Sequence, residues 1–83
     1  MPDPGSMRRQ YLGTVAEADS ATRMLVVRDE TQGLFTMHAD ERTQITQGDK
    51  SASWSDIRVG MMVDGMCIGT PGSAYAETIH IGR

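Results

Sequence analysis

The residues of this chain best suited to chemistry are soft donors: Met24, Met37, Met61, Met62 and Met66, with His38, His80, Cys67 and Trp54. Thioether, imidazole and thiolate together favour Cu(I) over harder ions. Their spacing argues against a local ligand cluster, because Trp54 stands seven residues before Met61 and 16 after His38. Met37 and His38 are neighbours, so on a strand they face opposite ways. Methionine is also the flexible filler of cores, and these side chains read first as packing. Cys67 and His80 are a formal nucleophile pair, but Cys67 sits among apolar neighbours, where thiols are inert. His80 alternates with Ile79 and Ile81 and reads as a solvent-facing strand residue. The acidic pairs Asp29-Glu30 and Asp40-Glu41 flank turns and read as solvated carboxylates rather than a dyad or a calcium loop. No catalytic, cofactor-binding or metal residue is assigned on this reading, and no enzyme activity is expected.

Eighty-three residues bound the elements that must carry these groups. That is one domain with one small core. Leu, Ile, Val and Phe total about 17% of the chain, below the usual floor for a folded domain, and seven Met partly fill the gap. The net charge of −3 is spread along the sequence. Lacking a basic stripe and having four aromatic residues, the chain does not look like a single-strand nucleic-acid binder. One cysteine excludes an internal disulfide and every cysteine-based zinc cluster. The longest apolar run, Met24 to Val27, is four residues, too short for a membrane span or a signal-peptide core. Residues 1–6, with two prolines and a Gly-Ser pair before Met7, read as a disordered expression remnant. Residues 7–83 then form a single OB-like β-barrel domain.

Short β-branched and apolar segments closed by turns about every ten residues predict the strands. Gln10 to Ala18 places Tyr11, Gly13 and Val15 on one face. Arg23 to Asp29 carries an unbroken apolar run that predicts cover on both sides or a crossing between faces. After a turn at Glu30 to Gly33, Leu34 to Ala39 puts Phe35 and Met37 inward. Asp40 to Ser51 is polar, with Ile45 its one large aliphatic residue and a turn at Gly48-Asp49-Lys50, and its order is left open. Ser53-Trp54-Ser55-Asp56 fits a capping box over a single helical turn, Ser53 to Arg58, ended by Gly60. Met61 to Ile68 is a strand with a bulge or sharp coil at Gly65, and Ala74 to Ile81 is the last. Five strands with one short helical turn between the third and fourth predict an all-β, five-stranded OB-like Greek-key barrel. Closure removes the exposed edges of so small a sheet.

Gly13-Thr14-Val15, Met24 to Val27, Thr43-x-Ile45, the Trp54-x-Asp56-Ile57-x-Val59-Gly60-x-x-Val63-x-Gly65 segment and Ala76-x-x-Ile79 together resemble a bacterial family of small OB-like domains of unknown function. The match spans residues 11–81 and consists of scaffold motifs. It implies the barrel, often in exported or envelope-associated proteins, and no activity. Small periplasmic copper carriers use a similar barrel, but they gather a Trp and two Met in one short strand with a His just before. That motif is missing here.

The function expected on these grounds is a non-catalytic binding or assembly module. Its partner is a protein or a second copy, marked by an exposed Met61 or Met62, and it uses no cofactor, metal or nucleic acid. Two alternatives stand beside it: a Cu(I) or other soft-metal carrier of the periplasm using Met, His and Trp ligands, and a single-stranded nucleic-acid binding OB domain. The compartment is left open between the cytoplasm and the periplasm or envelope.

Overall fold

The computed structural model describes residues 8–31, 33–70 and 73–82. The segment 1–6, read above as a remnant, lies outside them. The first strand, β1 (Arg8–Asp19), is twelve residues long and serves two neighbours. Its second half pairs antiparallel with β2 (Met24–Asp29), and its first half pairs antiparallel with β6 (Met62–Thr70). Gly13 and Thr14 belong to both ladders. A strand shared in this way must coil sharply. Gly13 permits it, because a Cβ there would lie 2.2 Å from the Arg28 carbonyl oxygen.

The hairpin β2–β3 (Gly33–His38) and the hairpin β6–β7 (Ser73–Ile81) extend the sheet on either side. It closes where β3 meets β7 in parallel, through Met37↔Ala74 and His38↔Tyr75. The result is a closed five-stranded barrel in the order β3-β2-β1-β6-β7, as the sequence predicts. Two short strands complete it. β4 (Gln44–Gln47) lies parallel on the far half of β7, from Gln44↔Thr78 to Gln47↔Ile81, and β5 (Lys50–Ser51) turns back on β4. The polar stretch left open by the sequence is therefore a hairpin, hydrogen-bonded to β7 along a β4 backbone that its composition does not advertise.

The helical turn is a 3-10 turn over Trp54–Asp56. The Asp56 carboxylate accepts the Ser53 N–H at 2.9 Å, and the Asp56 N–H donates to the Ser53 carbonyl at 3.0 Å. Just beyond it, Ile57 is buried, and the Gly60 N–H donates to the Val15 carbonyl at 2.9 Å.

Inside the barrel Leu25, Val27, Phe35, Met37, Val63, Cys67, Ile79 and Ile81 are all but inaccessible. Phe35 and Met37 are the inward pair, as their parity predicts. The run Met24 to Val27 neither is covered on both sides nor crosses between faces. It alternates normally, with Leu25 and Val27 inside and Met24 and Val26 half-buried outside. Asp29 is a second correction, being 6% exposed rather than solvated. Its carboxylate accepts the Leu12 N–H at 3.2 Å and both the N–H and hydroxyl of Thr31 at 2.8 Å, which stitches the turn after β2 to β1.

Tyr11 lies on the barrel interior against Phe35, edge to face at 5.8 Å, and its hydroxyl donates to the Thr78 carbonyl at 2.8 Å. Burial, reinforced by Cys67 and Asp64, raises its pKa far above the ordinary value of 10.0. A folded-state pKa above the unfolded one means that the neutral form is favoured by folding. Its contribution is intact below about pH 10 and is lost as the pH rises further, by up to about 1.4 kcal/mol per unit. Chemical denaturation between pH 9 and 11 is expected to show this fall in the native protein, and Tyr11→Phe is expected to flatten it.

Candidate functional site

The outer face of the β2–β3 hairpin is fixed by its turn. Asp29 pairs with Gly33, and counting back along both strands brings Met24 opposite His38. Both residues lie on the outward parity, Met24 half-buried and His38 exposed. Directly opposed residues hold their Cβ atoms about 4.5–5.5 Å apart, within reach of a shared ion for side chains of this length. Among the described ladders this is the one place where a methionine and a histidine face each other.

The surroundings of the pair are well anchored. On the other flank of β3, His38 is paired with Tyr75 across the seam that closes the barrel. The Tyr75 hydroxyl donates to Asp40 Oδ1 at 2.9 Å, and the Arg42 N–H donates to the same oxygen at 2.8 Å. These bonds, the Arg42 N–H first, hold the Asp40 carboxyl below the usual carboxylate range. The Thr43 hydroxyl donates to the Ala76 carbonyl at 2.7 Å and accepts the Asp40 N–H at 3.1 Å. Beyond the pair, the Ala39 N–H donates to the Arg23 carbonyl at 2.9 Å. Trp54, partly buried against the core, lines a depression with Arg23, Ala39, Asp40 and Thr43.

The remaining donors scatter. Met37 is wholly inside, and Met61 packs partly buried against the core. Met62 stands 48% exposed opposite Thr14. Met66 lies half-buried between Gln10 and Thr78. Cys67 is enclosed, and burial pushes its thiol pKa up. His80 points outward, so the wall of the barrel separates it from Cys67 and no nucleophile pair forms. Its Nδ1 lies 2.9 Å from the Thr46 hydroxyl. Among the described residues no three His, Cys, Asp or Glu side chains gather around a common point. Arg8, half of the amino-terminal basic pair, is engaged by Glu77 with Nε to Oε1 at 2.7 Å. No helix is long and apolar enough to cross a membrane among the described residues.

Comparison with known proteins matches the chain by shape alone. No family model matches the chain, and no curated protein sequence matches it. The bacterial OB-like family named above thus gains no sequence match, and what stands is a small OB-like barrel. A tryptophan-to-alanine variant of CusF from Escherichia coli, solved in a Cu(II) form, superposes with a TM-score of 0.72 at 10% identity, covering 100% of this chain and 99% of that one. CusF in its Ag(I) form superposes with a TM-score of 0.65 at 10% identity, covering 89% of this chain and 96% of that one. These neighbours correct the expectation of a protein-interaction module with no metal: the barrels this chain resembles are described as holding copper and silver. They also overturn the expectation of a protein partner or self-association as the leading role. At this identity the likeness establishes the fold, and the donor residues must be found on this chain itself.

Proposed function

We propose that the protein binds a soft monovalent ion, Cu(I) or Ag(I), on the outer wall of its barrel, with the Met24 thioether and a His38 imidazole nitrogen as donors. The observation that carries this reading is the β2–β3 register, which sets the two side chains opposite each other on one face. Two donors of this kind suit ions that accept low coordination numbers, and the thioether selects against hard cations. The structural likeness to copper- and silver-bound CusF supports the same chemistry.

His38 is open to solvent and Met24 half-buried, so an ion here would be held at the surface, where an acceptor can reach it. This suits transfer rather than permanent storage. Competition between the protein and a chromophoric chelator for Ag(I) tests the proposal. One equivalent withdrawn from the chelator is the expected result. Silver left entirely with a millimolar-affinity competitor would reject it.

A further inference from the structure

A second pair of donors lies on the outer face of the β6–β7 hairpin. Asp64 on β6 and His80 on β7 are directly opposed, both on the outward parity and both half-buried. On its other side His80 faces Thr46 of β4, whose hydroxyl lies 2.9 Å from Nδ1. That contact fixes the ring and leaves Nε2 as the nitrogen available to a ligand. Among the described residues neither Nε2 nor the Asp64 carboxylate takes a hydrogen bond, and the two groups form no ion pair although they stand across one rung of the ladder.

We infer that Asp64 and His80 form a second metal site, one for a borderline divalent ion such as Cu(II). An imidazole nitrogen and a carboxylate oxygen are the donors that such ions prefer, and Cu(II) heads the affinity order for a site of this composition. Thr46 supplies the outer hydrogen bond that metal-ligating histidines need. With the ion on Nε2, the Nδ1–H donates to the Thr46 hydroxyl, which fixes both tautomer and ring plane. Two protein donors leave the other positions to water, so the site is open and exchangeable. It contains no thioether donor, unlike the Met24–His38 pair. His80 is five residues from Tyr75 along β7, about 17 Å at strand rise, so the two sites are separate. The chain would then offer one site to each oxidation state of copper.

The test is electron paramagnetic resonance of the full chain with one equivalent of Cu(II) at neutral pH, together with a competition titration. A nitrogen–oxygen spectrum is expected in the native protein. His80→Gln is expected to lower Cu(II) affinity at least about 100-fold, and Thr46→Val about 10-fold through loss of the ring's outer bond. A Met24→Leu, His38→Gln double variant is expected to keep the signal unchanged. Thermal melts of each variant exclude a folding defect. A Cu(II) spectrum that survives His80→Gln, or is lost in the double variant, would overturn the inference and point to an adventitious surface histidine. Failure of this site leaves silver binding at Met24 and His38 untouched, and the converse also holds.

Discussion

Gly65→Ala is expected to unfold a large fraction of the protein or lower its melting temperature by roughly 12–24 °C. Gly65 sits in β6 one residue before the register shift against β7. A Cβ built on it would lie 2.2 Å from the Thr78 carbonyl oxygen and 2.9 Å from the carbonyl carbon. Both are backbone atoms, and the same oxygen accepts the Tyr11 hydroxyl, so neither can withdraw cheaply. Relieving the overlap requires the two longest-paired strands to separate where the barrel bends. A cost of at least about 3 kcal/mol is expected, against a total stability of roughly 4–12 kcal/mol for a chain of this length. Gly48→Ala is the contrast. Gly48 has φ 64 and nothing within 4 Å of the added Cβ, so only conformational strain of about 1 kcal/mol is expected. Equal melting temperatures for the two variants would show that the close approach of β6 and β7 is not what fixes Gly65.

The second large effect concerns the ion. Met24→Leu replaces a thioether with a hydrocarbon of similar volume, a swap that the half-buried outer position tolerates at under about 1.5 kcal/mol. Stability is expected to change little. Ag(I) affinity is expected to fall at least about 100-fold, equivalent to about 2.7 kcal/mol of binding free energy. His38→Gln is expected to do the same, since the exposed side chain has no described hydrogen bond to lose. The two effects should not add in the double variant, because a single remaining donor holds the ion no better than solvent-exposed methionines elsewhere. Met62→Leu serves as the control. It is 48% exposed and faces Thr14, and its loss is expected to leave silver binding intact.

The strands were legible because parity carries them. Phe35 and Met37 on β3 read inward from alternation alone, Tyr11, Gly13 and Val15 share one face of β1, and Ile79 and Ile81 flank an outward His80 on β7; all seven are buried. The helical turn was visible in Ser53 and Asp56, whose reciprocal bonding is a local matter. By contrast, β4 was hidden. Gln44, Thr46 and Gln47 have no apolar pattern, and their pairing with β7 is parallel and more than thirty residues distant. Asp29 was misread because its burial depends on a β1 backbone N–H that no local pattern reveals.

The candidate site was missed for a different reason. Met24 and His38 are fourteen residues apart, and a search for ligands close together in sequence passes over them. The signal was present nonetheless. A turn from Glu30 into Gly33 pairs Asp29 with Gly33, and that register alone places Met24 opposite His38. Asp64 and His80 lie in the same way on the β6–β7 hairpin, but a shift between Met66 and Cys67 intervenes, so their pairing does not follow from counting.

The most direct test is a titration of Ag(I) into protein carrying 13C-labelled methionine methyl groups, followed by heteronuclear NMR. The Met24 methyl resonance should move and saturate at one equivalent, together with the ring protons of His38, while the enclosed Met37 stays fixed. Movement confined to Met62 and Met66, or no saturable change at Met24, would contradict the claim that the β2–β3 register builds a soft-metal site.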